Sequence, residues 1–179
     1  MEHESAQLEV TPGDPETIEA WANPQKPAYK PKDKITIEWE AKDAFGNVVP
    51  DAPATVTAPT DGVADDGNNT YELLVDGAYT FTVTLANGAF DDVKITCDGS
   101  GPIIVITSPE RGMTFDGDPN ITVTGTVMDA FGGLNSMTVN GTPLIPDEAG
   151  NWSVVIESAH GMNPILVEAD DVNENKSKA

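Results

Sequence analysis

Ile35-Thr-Ile-Glu-Trp-Glu-Ala-Lys-Asp-Ala-Phe-Gly-Asn47 is the stretch whose reading decides the fold. Ile35, Ile37, Trp39 and Ala41 alternate with Thr36, Glu38 and Glu40, so one face is apolar and the other wet. Side chains of a strand point alternately to its two faces, which makes this period of two a half-buried β-strand. Asp43-Ala-Phe-Gly46 then interrupts it with turn residues. The arrangement returns as Ile121-Thr-Val-Thr-Gly-Thr-Val-Met-Asp-Ala-Phe-Gly-Gly133, without gaps, at an offset of 86 residues. That spacing is too long for a solenoid repeat and suits a small β-sandwich domain.

Outward from these two segments the pattern persists. Phe81, Val83 and Leu85 alternate with Thr80, Thr82 and Thr84, and no segment carries a helical period over ten or more residues. Ile, Val and Thr total 45 residues against 7 Leu, and β-branched side chains fit a pleated sheet better than a helix. The chain is therefore expected to be all-β, built of short antiparallel strands. Cys97-Asp-Gly-Ser-Gly-Pro102 reads as a linker, giving domains at 17–101 and 102–179 after a disordered acidic tail at 1–16. Strands are expected near 17–22, 34–42, 53–58, 69–75, 78–86 and 90–97 in the first domain. In the second they are expected near 103–107, 113–115, 120–128, 134–140, 142–145, 151–157 and 164–169. The start is acidic and lacks the apolar core of a signal peptide, as a chain would after signal removal.

Charge and composition exclude several functions. Thirty acidic and nine basic residues give a formal charge of -21, which leaves no basic footprint for nucleic acid. A single Cys allows neither an internal disulfide nor a zinc finger. The longest apolar run, Ile103–Ile106, falls far short of the roughly 20 residues of a membrane helix. His3 and His160 lack patterned nucleophile partners, and no Gly-x-Ser-x-Gly, His-Glu-x-x-His or phosphate-cradling loop occurs. No enzymatic activity is expected.

The second domain is similar to bacterial immunoglobulin-like (Big-type) modules of secreted and cell-surface proteins. The matching residues are Ile104-Val-Ile-Thr-Ser-Pro109, Ile121–Val127, Met137-Thr-Val-Asn-Gly141, Gly150-Asn-Trp-Ser153 and Val167-Glu-Ala-Asp170. The first domain resembles a more distant relative, with Asp76-Gly-Ala-Tyr79 and Phe81 placed like a tyrosine corner. The resemblance implies two tandem immunoglobulin-like β-sandwiches. It also implies a last strand after Asp170–Asn175, which ending at Ala179 would leave missing or very short. Pro164 should weaken the start of the strand before it.

On that fold the candidate sites are few. The loops carrying Asp129 and Asp170-Asp171 would face the linker with Asp98, and four acids converging on one joint repel unless a cation separates them. Calcium is the ion expected, stiffening the joint; no other cofactor is expected. Asp116-Gly-Asp-Pro-Asn120 imitates the start of an EF-hand loop but lacks the later ligands. Trp39 and Trp152 are in phase with core positions, whereas Trp21 is out of phase and, with Tyr29, forms the exposed platform on which a ligand would stack. Lys26, Lys30, Lys32 and Lys34 crowd one segment and suit an anionic partner or edge protection. The function these features indicate is a non-catalytic spacer or adhesion module, extracellular, cell-surface or periplasmic. It would contact proteins or cell-surface glycans and neighbour further domains of a longer chain. The alternatives are a carbohydrate-binding accessory module of a secreted enzyme and a strand-exchanging filament subunit fed by residues 1–16.

Overall fold

The computed structural model describes residues 11–116 and 120–179. His3, most of the expected tail and donor strand, and the middle of the Asp116–Asn120 run lie outside the described residues. All regular structure described is β, and no helix is long and apolar enough to cross a membrane. The strands fall into two units, the described parts of Met1–Pro27, Lys32–Leu74 and Ala78–Ile95, and of Ala28–Pro31, Val75–Gly77 and Thr96–Ala179.

In the first unit, β1 (Thr17–Asn23), β2 (Lys34–Lys42), β6 (Thr70–Leu73) and β5 (Val63–Gly67) form one sheet in the order β1-β2-β6-β5. The two-residue β3 (Val48–Val49) pairs with β2. A second sheet takes the order β4-β7-β8 from β4 (Ala54–Thr57), β7 (Gly77–Leu85) and β8 (Phe90–Cys97). The inward rows Ile35, Ile37 and Ala41 of β2 and Tyr71 and Leu73 of β6 are buried with Phe81, Val83 and Leu85 of β7. The Tyr71 and Phe81 rings meet across the core, with centroids 4.9 Å apart. Trp39 is half-buried, its indole N–H donating to the Ala52 carbonyl at 3.0 Å. Tyr79 is buried against Gly62, where a Cβ would lie 2.4 Å from the phenol oxygen; Gly62 also has φ 78°, so two constraints keep it glycine.

In the second unit, β9 (Ile103–Ser108), β10 (Asn120–Met128) and β13 (Asn151–Glu157) form a sheet ordered β13-β10-β9. The opposing sheet is β12-β11-β14-β15, from β11 (Leu134–Val139), β12 (Thr142–Pro143), β14 (Val167–Asp171) and β15 (Lys176–Lys178). Ile121, Val123, Val127 and Trp152 of the first sheet pack with Met137, Val139, Val167 and Ala169 of the second. This two-layer burial is the β-sandwich that the alternation of β10 requires. Trp152 lies on Gly125, where a Cβ would come within 2.3 Å of the indole and 2.2 Å of the Val105 carbonyl.

Several sequence expectations change. Residues 113–115 form no strand. β14 begins at Val167 rather than near 164, because Pro164 has no ladder N–H; Asn140 instead holds the approach, donating to the Pro164 carbonyl and accepting from the Leu166 N–H. β3 and β5 were not anticipated, being too short or too polar to display a period. The last strand, expected to be missing or very short, is the three-residue β15. β15 pairs with Glu168–Asp170 of β14, and Ala179 and Val167 exchange two backbone hydrogen bonds of 2.9 Å. The edge of β14 that an exchanged strand would occupy is taken by the chain's own end.

Three turns share one hydrogen-bonding scheme. In Asp43–Asn47, Asp147–Asn151 and Asp171–Asn175, the aspartate Oδ1 accepts the N–H groups two and four residues on, at 2.8–3.0 Å. The closing Asn returns its amide to the same carboxylate at 2.8–3.0 Å. The fourth residue is left-handed: Gly46 at φ 82°, Gly150 at 81°, but Glu174 at 65°. A side chain with a Cβ is disfavoured there.

Three outcomes follow. Gly125→Ala should lower stability by about 2 kcal/mol in urea denaturation, since both obstructing groups are fixed. Glu174→Gly should raise the urea midpoint, by about 1 kcal/mol of stability. The Asp43 carboxyl is held down to about 2, first by the Asn47 amide and then by the Gly13 N–H. Its folded value lies below its unfolded one, so its stabilisation is complete above about pH 4 and disappears as pH falls toward 2. Acid unfolding of Asp43→Asn should lack that component.

Candidate metal centre

All the residues that assemble this site belong to the second unit. Asp98 stands just ahead of β9, Asp129 just after β10, and Asp171 closes β14. One carboxylate oxygen from each lies within 4.8 Å of the other two. Asp98 and Asp171 are 1% and 0% exposed, while Asp129 is half-buried.

Local chain geometry fixes each carboxylate. Asp129 Oδ1 accepts the N–H groups of Phe131, Gly132 and Gly133 at 3.1, 2.7 and 2.8 Å, which leaves its Oδ2 outside those bonds. Asp171 is held by its own turn through Asn173 and Asn175. Asp98 Oδ2 accepts the Asn173 side-chain amide at 2.7 Å, and its backbone carbonyl accepts Asn175 Nδ2 at 3.1 Å. The Asp98 N–H donates to the Tyr29 carbonyl at 2.7 Å. Gly132 makes the approach feasible, because a Cβ there would lie 2.4 Å from Asp98 Oδ2. Lys30 Nζ donates to Asn175 Oδ1 at 2.9 Å, bringing one cation to the rim.

Electrostatics mark Asp98 as the strained member. Burial raises its pKa first; the Asn173 amide opposes this, and Asp129, Asp171 and Asp76 add repulsion. Asp76 is itself tied nearby through the Gly99 N–H at 2.7 Å. Carboxylate oxygens at this spacing form the hard-oxygen environment that suits a divalent cation such as calcium. An ion there would remove the repulsion that burial magnifies.

Asp170 is not part of the group. Successive β14 side chains point to opposite faces, and its carboxylate accepts from the Ser136 hydroxyl and from Asn135 Nδ2 at 2.9 Å. Those two bonds, Ser136 first, lower its pKa. Asn173, Asn175, Lys30 and Asp76 were not anticipated from the sequence. The Asp-x-x-Gly-Asn spelling of the other two turns was the available signal, and Glu174 in place of glycine hid the third.

The remaining expected sites are dispersed. Tyr29 is 4% exposed and offers no stacking face, so the Trp21–Tyr29 platform does not exist as a pair. Trp21 is half-buried on β1, its indole N–H on Glu38 Oε2 at 3.1 Å. Trp152 is a core residue, and its indole N–H has no partner among the described residues. Of the clustered lysines, Lys26 pairs with Asp33 at 2.8 Å and Lys34 with Asp66 at 2.7 Å.

Residues 102–179, less than half of the chain, match the family model for Glucodextranase, domain B. No curated protein matches the chain. Among solved structures, it is similar to the Escherichia coli adhesin FdeC at 13% identity and a TM-score of 0.44, covering 88% of this chain and 60% of that one. Fibronectin(III)-like modules of Clostridium thermocellum CbhA align at 16% identity and 0.38, over 90% of each chain. The Yersinia pseudotuberculosis adhesin InvE aligns at 12% and 0.33, over 90% of this chain and 57% of that one.

Proposed function

We propose that the chain is a non-catalytic immunoglobulin-like spacer or adhesion module of an exported surface or secreted protein, braced by a bound calcium ion. The observation that carries this reading is the convergence of Asp98, Asp129 and Asp171 at the strand ends of one sandwich. Their chemistry is that of oxygen donors to a hard cation. An ion held there ties the segment entering β9 to the turns after β10 and β14. It converts three mutual repulsions into attractions, stiffening the end of the unit where the chain comes in. The -21 charge, spread over turns and outward strand faces, keeps such a module soluble outside the cell.

A second reading, an accessory module of a secreted carbohydrate-active enzyme, is favoured by the match of residues 102–179 to a glucodextranase domain. Binding of glucan oligomers to this chain would distinguish it from a spacer.

The calcium brace is tested by thermal melting. Millimolar calcium should raise the melting temperature over EDTA by about 3 °C or more. Equal temperatures would refute the brace. Asp98→Asn should melt higher than the unaltered chain in EDTA and lose the calcium response. The pH sign follows from Asp98. Its folded pKa is raised, so the metal-free chain should lose stability as pH climbs from about 4 through that value. Calcium or Asp98→Asn should abolish that loss.

A further inference from the structure

The outer face of β1 and β2 violates a rule of sheet construction. The register places Glu19 opposite Glu40 and Trp21 opposite Glu38. Like charges directly across two strands destabilise a sheet, and both side chains lie on the face away from the core, where apolar burial adds nothing to offset the pair. Glu19 enters no ion pair among the described residues, and Glu40 has only Lys42 Nζ, at 3.1 Å. Glu38 is oriented with care instead. Its Oε2 accepts the Trp21 indole N–H at 3.1 Å, and its Oε1 accepts Asn23 Nδ2 at 2.8 Å. The indole is thereby fixed on the outward sheet face, hydrogen-bonded to Glu38 and flanked in the register by Glu19 and Glu40. Local costs of this kind collect where a surface is shaped for a partner.

We propose that this face docks an extended, arginine- or lysine-bearing segment of a partner protein, one cationic side chain resting on the Trp21 ring and its neighbours meeting Glu19 and Glu40. Charge complementarity selects the occupant. Three carboxylates and an indole on one sheet face attract a cation through both charge and the ring face. An extended peptide places alternate side chains about 7 Å apart, the spacing of alternate residues along β1 and β2. This names a partner chemistry for the interaction module proposed above. Its failure would leave the calcium brace untouched, because that involves other residues and another measurement.

The test uses a fluorescent (Arg-Ser)4 peptide followed by anisotropy at about 50 mM salt, where surface charges are weakly screened. The intact chain should bind it, with affinity falling steeply by about 300 mM salt. Glu19→Gln/Glu40→Gln should weaken binding about tenfold while leaving melting unchanged or higher. Trp21→Ala should weaken it about threefold. Glu110→Gln/Glu148→Gln removes the same charge from other exposed positions and should change affinity less than twofold. No binding by the intact chain, equal weakening by both double variants, or quenching of Trp21 by neutral glucan oligomers alone would each overturn the proposal.

Discussion

Two carboxylates removed from water, with a third beside them, set the terms for the second sandwich. Burying one ionised Asp is costly, and Asp98 and Asp171 are buried together with Asp129 facing them. Hydrogen bonds relieve part of this. Asp171 is satisfied by its own turn, Asp129 by three consecutive N–H groups, and Asp98 by Asn173 on one oxygen. Their mutual repulsion is what remains, and it falls on the segment that must be fixed for β9 to start in register. A hard cation is the simplest physical agent that reverses its sign.

The comparable place in the first unit shows that the fold itself does not demand this concentration of charge. Asp43 follows β2 as Asp129 follows β10, and it captures the entering chain directly through the Gly13 N–H at 2.9 Å. Asn87 donates to the Pro15 carbonyl there, much as Asn175 donates to that of Asp98. One carboxylate with four donors does the work of entry capture in the first unit. The second unit uses the same turn chemistry and adds two carboxylates in excess of it. That excess is the observation that supports the proposed calcium brace.

The parts of the fold readable beforehand were those with a period. Ile35–Ala41 and Ile121–Val127 announced strands that the structure places within a residue or two, because alternation is imposed by the pleat itself. What stayed hidden were very short or polar pairings, β3 and β5, whereas the weak start of β14 at Pro164 and the shortness of β15 were both readable. That Asp98, Asp129 and Asp171 meet in space could be expected because loop order in a sandwich is topological. Asp170 was misassigned because adjacent strand residues face opposite ways, and the end of β14 could not be phased from a loop. Tyr29 was paired with Trp21 as an exposed platform, yet it is buried, its backbone bonded to Thr96 and Asp98.

The claim on which the rest turns is that the carboxylate trio holds one divalent ion. Calorimetric titration of calcium into the chelated, intact chain tests it most directly. The prediction is a single site per chain that disappears in Asp129→Asn and survives in Asp170→Asn. Heat spread over many weak equivalents, or a single site indifferent to Asp129→Asn, would contradict it.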